Sequence, residues 1–409
     1  MSILRPVKLA VFFDQVLHAG GGYQQALNAA LLVKKLPNDL VEPIFFTQYQ
    51  ENIETFQSFG INAIFLPLPL FRRAVLKIRR RITHSGVLGF WKKLVGRNAF
   101  ERSFVKHGVD LVYFLSPTPI VNDLEELNYI TTVWDLCHRD DLEFPEVRAL
   151  RIFEEREQLY CSILPKAVGI IVDSSLGKVN VMRRYGIDEE RVHVMPFMPA
   201  TGTQVSEEGY QAGYIDICQK YKLDVPYVFY PAQFWAHKNH VYLLEGLKCL
   251  QEEFGQRVGA IFSGDDQGNL AHVRRITGIL GLSDSVRFAG FVPNEEIPYL
   301  YKQSLALVMP TYFGPTNLPP LEAFSFGIPV LYPDKPGLRD QVGDAALLMD
   351  LHEPRSMAGH LAALIGNPEL RERLVEKGND NLMQYSDQNR LEILSTVLHD
   401  FRRRRASWG

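Results

Sequence analysis

The chain has 409 residues, which is longer than a single hydrophobic core usually grows, so we expect two domains of roughly 150 to 200 residues each. Apolar residues make up 46% and charged residues 22% of the sequence, and the formal net charge is −3; these values are typical of a soluble globular protein and identify no class of partner. The four cysteines are widely spaced, and no apolar run approaches the roughly 18 residues that a bilayer requires, which argues against a zinc ribbon, a disulfide framework and a membrane-spanning helix. We therefore expect a cytoplasmic protein in a reducing compartment.

Short, continuous apolar runs alternate with helical patterns along the chain. Such runs are typical of strands that are covered on both faces, as in a parallel α/β sheet. A first series comprises Leu9–Phe13, Pro43–Phe46, Ala63–Leu66, Leu111–Leu115, Ile130–Trp134, Val168–Val172 and Val192–Met195. A second series comprises Tyr227–Tyr230, Val258–Phe262, Val286–Phe288, Leu305–Met309, Val330–Tyr332 and Ala345–Leu348.

The segment Pro199–Ser206 shows neither pattern and consists mostly of small and polar residues. We place the domain boundary there, with residues 1–203 in the first domain and residues 204–384 in the second. The fold class is therefore predicted to be α/β, with two Rossmann-like, doubly wound parallel-sheet domains that face each other across a cleft. Such sheets bind ligands at the carboxyl ends of their strands.

Residues 385–409 have a helical pattern that no further strand follows. Its apolar face carries Leu391, Leu394, Leu398 and Phe401. We expect this helix to pack back onto the first domain.

The turn after the first predicted strand contains Gly20, Gly21 and Gly22 and precedes a helical pattern. Consecutive glycines let the backbone approach a phosphate or a sugar closely, and a helix start supplies positive potential. The spacing differs from the Gly-x-Gly-x-x-Gly of dinucleotide sites. We interpret it as a ligand-binding turn; the alternative is a turn without a ligand.

Residues 71–106 contain eleven Lys and Arg residues but a single acid, Glu101, and apolar residues are interleaved among them. A basic and amphipathic stretch is typical of a surface that docks on anionic lipid. A solubilising helical face is the alternative. Nucleic acid is discounted as a partner because no recognition fold accompanies the stretch.

Asp135 and His138 follow the predicted strand Ile130–Trp134. Histidine can take a proton from a hydroxyl because its unperturbed pKa lies near working pH. Asp135 can act in the same way or orient the hydroxyl. Both are candidate catalytic residues, and a structural role in a turn is the alternative for each.

Lys238 lies in the turn after the first strand of the second series, beside Trp235 and between His237 and His240. A lysine at a helix start is a suitable point charge for a diphosphate. The alternative is a solvated lysine. A nearby pair, Asp265 and Asp266, lacks a third acid or a histidine and is a poor magnesium site, so we expect no metal.

The stretch Val308–Pro329 passes from an apolar run through a loop rich in glycine and proline into a helix that carries Glu322. The first amides of a helix point outward unpaired and offer donors to a ligand. We expect Glu322 in the first turn of this helix. There it would accept hydrogen bonds from a diol or merely complement the helix dipole.

The spacing of this stretch resembles the nucleotide-ribose loop of the retaining glycosyltransferases of family four, whose usual form is Glu-Gly-Phe-Gly-Leu-Pro-x-x-Glu. Gly314-Pro-Thr-Asn-Leu-Pro-Pro-Leu-Glu322 overlays this form from Leu318 onward, but Gly314 replaces the first glutamate. The resemblance implies that Leu318 and Glu322 bind the donor, with Glu322 on the ribose. The sugar contact of the missing glutamate would then come from Thr316 or Asn317.

Other turns extend the resemblance. The family binds the donor diphosphate with an arginine and a lysine five residues later; here Gln233 replaces the arginine and Lys238 matches the lysine. A Gly-Gly pair of the family corresponds to Gly20, Gly21 and Gly22 and faces the donor across the cleft, which implies that these glycines bind the donor. Val286–Pro293 is similar to the turn that reads the nucleobase through backbone groups, which implies a donor contact at Val292.

The resemblance covers both domains and the final helix, and implies the two-Rossmann-domain fold called GT-B. It also implies retaining transfer of a hexose from a nucleoside diphosphate sugar to a hydroxyl of a polysaccharide, an O-antigen or a lipid-linked saccharide, with no cofactor and no metal. Lys238 would stabilise the leaving diphosphate, and the proton of the acceptor would pass to that phosphate, to His138 or to Asp135.

Two alternative functions stay open. One is a sugar-nucleotide epimerase of the same fold, which would bind the donor and need no acceptor. The other is a non-catalytic protein that binds nucleotide sugars, which the uncharged residues Gly314 and Gln233 favour.

Overall fold

The computed structural model describes residues 5–16, 21–67, 99–198, 207–314 and 316–408. The chain divides into two compact units. The first comprises Met1–Leu136, Glu154–Pro196 and Asp387–Gly409, and the second comprises Cys137–Phe153 and Phe197–Ser386. The segment Pro199–Ser206, where the sequence places the domain boundary, lies outside the described residues.

The first unit is built on a parallel sheet, seven-stranded within the described residues, in the order β3-β2-β1-β4-β5-β6-β7. Strand order reverses between β1 and β4, where two connections leave in opposite directions. The strands are β1 (Val7–Phe13), β2 (Val41–Thr47), β3 (Ala63–Phe65), β4 (Leu111–Phe114), β5 (Asn128–Val133), β6 (Gly169–Val172) and β7 (Val192–Val194).

The second unit has the same winding in a parallel sheet of six described strands, in the order β10-β9-β8-β11-β12-β13. Here the order reverses between β8 and β11. The strands are β8 (Tyr227–Pro231), β9 (Gly259–Ser263), β10 (Val286–Gly290), β11 (Leu307–Val308), β12 (Val330–Pro333) and β13 (Ala346–Met349).

Each predicted apolar run coincides with one of these strands, with ends that differ by at most two residues. The agreement has a physical reason: strands covered by helices on both faces are apolar at consecutive positions rather than alternate ones. The prediction of two Rossmann-like parallel α/β units is confirmed.

Helices connect the strands. In the described part of the first unit, the α-helices are Gly21–Lys34, Asn52–Ser58, Ala99–Lys106, Ile152–Ile163, Ser175–Tyr185 and Asp387–Arg405, of which Ile152–Ile163 begins in the second unit. Those of the second unit are Pro145–Arg148, Glu207–Ala212, Ile217–Tyr221, His240–Phe254, Leu270–Ile279, Ile297–Lys302, Leu318–Ser325, Leu338–Val342, Pro354–Gly366 and Pro368–Met383.

The final helix, Asp387–Arg405, belongs to the hydrophobic core of the first unit. Leu394, Val397, Leu398 and Phe401 are buried in a cluster that also holds β1 and the helix Gly21–Lys34. The core of the second unit is a separate cluster formed by residues 210–385. Among the described residues, no helix combines the length and the apolar character needed to cross a membrane.

Candidate functional site

The carboxyl ends of β8 and β11 are adjacent at the strand-order reversal of the second sheet. Doubly wound sheets bind ligands in the crevice beyond such a reversal. Residues 232–239 follow β8 and residues 309–317 follow β11. These two loops carry the candidate donor-binding residues Gln233, Lys238, Thr316 and Asn317, so the topology places all four at one edge of the sheet.

Lys238 ends a 3₁₀ turn, Ala236–Lys238, whose backbone is held by neighbouring groups. The Tyr230 hydroxyl donates to the carbonyl oxygen of Lys238 at 2.8 Å, and the Lys238 amide donates to the carbonyl of Trp235 at 3.2 Å. The half-buried side chain reaches the second loop, where Nζ donates to Oδ1 of Asn317 at 3.3 Å. The amine therefore supplies a positive charge at the strand-order reversal, where an anionic ligand would bind.

Gly314 and Asn317 pack closely against each other. Gly314 has a φ of +107°, a backbone conformation that residues with a side chain rarely adopt. A Cβ atom on Gly314 would lie 2.9 Å from Oδ1 and 3.1 Å from Nδ2 of Asn317, and Nδ2 donates to the Gly314 carbonyl at 2.8 Å. The Asn317 side chain therefore occupies the space through which a side chain at position 314 would have to pass.

A buried hydrogen-bond network holds Asn317 in place. Its Nδ2 donates to the Tyr332 hydroxyl at 2.6 Å, and its backbone amide donates to Oε1 of Gln341 at 3.0 Å. Gln341 returns a bond from Nε2 to the Asn317 carbonyl at 2.6 Å, and Tyr332 donates to Oε1 of Gln341 at 3.0 Å. Asn317 is 8% exposed. Because buried polar groups with satisfied partners are rigid, the oxygen that faces Lys238 is fixed.

The helix that carries Glu322 begins earlier than the sequence predicts, at Leu318, and ends at Ser325. Pro319 and Pro320 lie in its first turn, where the ring of proline suits the helical φ and its missing N–H costs no helical bond. The expectation that Glu322 lies in the first turn is wrong, since it is the fifth residue of the helix. The prolines offer no N–H, and the Asn317 amide is bonded to Gln341, so among the described residues 317–320 at the helix start it is Leu318 that can offer its amide to a ligand.

Glu322 presents one restrained and one available carboxylate oxygen. Tyr301 is 0% exposed, and its hydroxyl donates to Oε2 of Glu322 at 2.8 Å. Burial raises the pKa of Glu322 above 4.5, and the bond from Tyr301 offsets part of that rise. Oε1 has no hydrogen-bond partner within the described ranges and the residue is only half-buried, so this oxygen can accept a hydrogen bond from a ligand hydroxyl.

Gln233 uses its carbonyl oxygen within its own turn, where Trp235 Nε1 donates to Oε1 at 3.1 Å. Thr316 is half-buried, just before the helix of Glu322. Val292, in the turn after β10, is 7% exposed, so a ligand there would meet mainly its backbone. None of Gln233, Thr316 and Val292 carries the positive charge that the family's arginine supplies at the position of Gln233.

The acidic turn after β9 has a structural role. Asp266 Oδ1 accepts from the amides of Gly268 and Leu270 at 2.8 and 3.1 Å, and these bonds lower the pKa of Asp266 below 3.8. The carboxylate thereby organises the start of the helix Leu270–Ile279. In the parts of the chain that the structure describes, no group of three or more His, Cys, Asp or Glu side chains could hold a metal ion.

In the first unit, Gly21 and Gly22 begin the helix Gly21–Lys34, whereas Gly20 lies outside the described residues. A Cβ atom on Gly22 would lie 2.8 Å from Cη2 of Trp134. The absence of a side chain at Gly22 therefore lets the indole ring lie against the turn. This contact gives the glycine a packing role in addition to the ligand contact that the sequence predicts.

The two candidate proton acceptors have different surroundings. Arg156 donates to Oδ1 of Asp135 at 2.5 Å and to its carbonyl at 2.9 Å, and the Asp135 side chain is 31% exposed. Burial alone would lower the pKa of Arg156, but the charge of Asp135 outweighs it and raises the pKa above its ordinary value. His138 belongs to the second unit, is 0% exposed, and packs edge-on against Phe153 at 5.6 Å between ring centroids.

Sequence reasoning missed Asp14, which follows β1 at the strand-order reversal of the first sheet. The hydroxyl of Ser116, two residues after β4, donates to Oδ1 of Asp14, and Thr118 makes a second side-chain hydrogen bond to Asp14. Burial raises the pKa of Asp14 above 3.8, and these hydroxyls offset part of the rise. The sequence signal for Asp14 is its position directly after a buried strand. Its hydrogen-bond partner Ser116 lies 102 positions away, so the local sequence does not reveal this pairing.

Residues 71–98 of the basic stretch lie outside the described residues. Its described end is the helix Ala99–Lys106, in which Arg102 and Lys106 are exposed. Glu101, the acid of this stretch, is 0% exposed, and its Oε1 accepts from the amides of residues 125–127 at 2.8 to 3.1 Å. Glu101 is therefore a structural residue that fixes the loop before β5.

Comparison with known proteins matches part of the sequence to a family. Residues 218–381, less than half of the chain, match the family model described as "Glycosyl transferases group 1". O-antigen chain mannosyltransferase B of Escherichia coli is 30% identical over 180 residues, which cover 43% of this chain and 46% of the relative. Alpha-D-kanosaminyltransferase of Streptomyces kanamyceticus is 24% identical over 214 residues, covering 52% and 54%. The chain thus spans about half the length of the curated relatives it matches.

Solved structures match almost the whole chain in fold. The Anabaena protein HepE in complex with UDP and glucose superposes with a TM-score of 0.71 at 16% identity, covering 96% of this chain and 100% of that one. A glycosyltransferase from Rickettsia africae ESF-5 gives 0.69 at 15% identity, covering 97% and 98%. The chain therefore shares the fold of these proteins, which is of the GT-B type, and its second unit resembles the group 1 glycosyl transferases in sequence.

Proposed function

We propose that the protein is a retaining, metal-independent glycosyltransferase. It would move a hexose from a nucleoside diphosphate sugar to a hydroxyl of a polysaccharide, an O-antigen or a lipid-linked saccharide. The observation that carries this proposal is the hydrogen bond between Lys238 and Asn317 at the strand-order reversal of the second sheet. The helix that follows Asn317 carries the available carboxylate oxygen of Glu322. The match of residues 218–381 to group 1 glycosyl transferases supports the same activity.

The donor would be bound by groups of the second unit. The amine of Lys238 neutralises the diphosphate, whose negative charge grows as the glycosidic bond to phosphate breaks. Oε1 of Glu322 accepts from a ribose hydroxyl. Thr316, Asn317 and the Leu318 amide lie on the same loop and would contact the sugar or the phosphates, while the backbone at Val292 would meet the base.

In the proposed reaction the acceptor hydroxyl attacks the anomeric carbon from the face that the diphosphate leaves. Its proton passes to the departing phosphate or to a protein base. Of the two candidate bases, Asp135 has the more accessible side chain, whereas His138 exchanges a proton with substrate only if its neighbours move aside. We propose Asp135 as the residue that orients the acceptor hydroxyl. We propose Gly20, Gly21 and Gly22, which follow β1 in the sequence, as donor-binding residues.

A further part of the proposal is that the protein docks on anionic lipid through the basic stretch 71–106. A lipid-linked acceptor would be presented at such a membrane surface. Sedimentation with phosphatidylglycerol vesicles, but not with phosphatidylcholine vesicles, is the expected result. Equal sedimentation with both, or with neither, would contradict it.

The test is incubation with a panel of nucleotide sugars, with and without saccharide acceptors. A transferase consumes donor and forms product only with acceptor, an epimerase converts donor without acceptor, and a binding protein consumes nothing. Lys238→Ala should lower turnover by about 100-fold or more, as removal of a charge-stabilising group does. The matched control is Lys248→Ala, at a surface lysine paired with Glu252 on the helix His240–Phe254. Wild-type turnover of Lys238→Ala would remove Lys238 from the mechanism.

A further inference from the structure

A segment from the middle of the chain supports the donor-side loops of the second unit. Residues Cys137–Phe153 lie in the sequence between β5 and β6 of the first sheet, yet they belong to the second compact unit. Asp141 of this segment forms an ion pair with Lys335, and Glu146 forms a hydrogen bond with His237; these partners lie 194 and 91 positions away in the sequence.

Glu146 makes two contacts with His237, the residue directly before Lys238. Its Oε1 accepts from the backbone amide of His237 at 2.8 Å and lies 2.5 Å from Nδ1 of the imidazole. The side chains are 8% and 10% exposed, so the pair is shielded from water. Burial alone would raise the pKa of Glu146, but the hydrogen bonds from His237 outweigh it and hold the pKa below 4.5. Glu146 is therefore a carboxylate whose binding to His237 outweighs the cost of its burial.

The same histidine connects the turn of Lys238 to the loop of Gly314. The imidazole stacks on the Phe313 ring with centroids 3.8 Å apart and an interplanar angle of 14°. The Tyr312 amide donates to the His237 carbonyl at 2.9 Å. His237 therefore contacts the two residues directly before Gly314, and its own position depends on Glu146.

Neighbours from the same segment reinforce the arrangement. Phe144 packs against Tyr312 and Phe313 with centroids 5.1 and 5.6 Å away. Lys335 bonds both Oδ1 of Asp141 and the carbonyl oxygen of Tyr312, each at 2.6 Å. The backbone on both sides of the Lys238–Asn317 contact is thus fixed by side chains of Cys137–Phe153.

We propose that Glu146 is a positioning residue of the donor site, which holds the His237–Lys238 turn and the Tyr312–Gly314 loop in the arrangement that brings Lys238 to Asn317. The inference rests on the proposed function for its catalytic consequence. Its structural part, the placement of the Lys238 amine, is independent of that function.

The variants follow from the geometry. Glu146→Gln keeps an oxygen that can accept from the His237 amide and removes the charge opposite the imidazole, whereas Glu146→Ala removes both contacts. Glu143→Gln is the matched control, because Glu143 is exposed, lies in the same segment and loses the same charge. Glu146→Asp keeps the charge on a shorter side chain and tests distance. Thermal unfolding of each variant identifies any that fails to fold.

Two readouts separate positioning from general stability. The first is acetylation of the Lys238 amine by acetic anhydride, measured by mass spectrometry against the other lysines; we expect faster labelling of Lys238 alone in Glu146→Gln. The second is steady-state kinetics with the donor that the panel identifies. We expect kcat/KM to fall roughly 10- to 100-fold, mainly through kcat, as misplacement of a catalytic group by about 1 Å does. Glu143→Gln should match the wild type in both.

The outcomes are distinct for the two proposals. If folded Glu146→Gln and Glu146→Ala label at Lys238 as the wild type does, Glu146 is not a positioning residue, whatever the kinetics. If the wild type transfers sugar from no donor, the proposed function fails, and the labelling still decides whether Glu146 places Lys238. A fall in melting temperature with unchanged Lys238 labelling would reduce Glu146 to a stabilising residue and overturn the inference.

Discussion

The substitution Gly314→Glu would install the carboxylate that family four glycosyltransferases carry at the first position of their donor loop, and we expect it to damage this protein. Gly314 has a φ of +107°, and a residue with a side chain in such a sparsely populated conformation costs about 1–3 kcal/mol. The new Cβ atom would also lie 2.9 Å from Oδ1 of Asn317, so the Asn317 side chain has to move.

Moving Asn317 breaks its bonds to Tyr332 and to Lys238. A buried polar group left without a partner costs about 1–3 kcal/mol. The two effects together predict a free energy of unfolding lower by about 2–6 kcal/mol, together with turnover reduced by at least about tenfold.

Urea unfolding and steady-state turnover measure these effects, and two further variants separate them. Gly314→Ala adds the Cβ atom without the carboxylate and should show most of the loss in stability. In the double variant Gly314→Glu with Asn317→Ala the bonds of Asn317 are lost only once, so its loss in stability should be smaller than the sum of the losses of the two single variants, and its turnover should stay low. A Gly314→Glu protein as stable and as active as the wild type would refute the view that Asn317 occupies the space of the missing glutamate.

Glu322 and Asp14 give two further predictions. Burial raises the pKa of Glu322, so its carboxylate takes up a proton at a higher pH than an ordinary glutamate does, and affinity for the donor nucleotide that the panel identifies should fall as the pH is lowered towards that range. Glu322→Gln should bind that nucleotide roughly 10- to 100-fold more weakly at neutral pH and lose this pH dependence. Calorimetric titration tests this, and an unchanged dissociation constant would refute the ribose assignment. The raised pKa of Asp14 means that its contribution to stability is fully present below 3.8 and is lost as the pH rises through the folded-state value. In urea unfolding from pH 4 to 7, Asp14→Asn should therefore gain stability relative to the wild type with rising pH; a constant difference would show that Asp14 is not strained by burial.

The strands could be predicted from sequence because burial on both faces leaves a continuous apolar signature, as in Leu111–Phe114. The start of the helix that carries Glu322 could not, because Pro319 and Pro320 mark a loop in the sequence and yet are well suited to a first helical turn. The sequence predicted the candidate lysine through its place after a buried strand, a local feature.

The hydrogen-bond partners of the site residues could not be predicted from the sequence. Glu146 and His237 are 91 positions apart, and Lys238 and Asn317 are 79 positions apart. Nothing in the local pattern of Glu146 distinguishes it from exposed acids nearby, because its environment is created only when distant loops meet. Likewise, the sequence reveals the missing glutamate at Gly314 but not the Asn317 side chain that fills the space.

The division of the chain between the two units bears on how the protein folds during synthesis. The core of the second unit is complete once residue 385 has left the ribosome. The core of the first unit, although its strands are made earliest, still lacks Leu394, Val397, Leu398 and Phe401 at that moment. The N-terminal sheet would therefore wait with an uncovered apolar face while the later unit folds, an order opposite to the usual N-terminal-first sequence of events. During translation, chaperones should accordingly bind the first half of this chain for longer than the second.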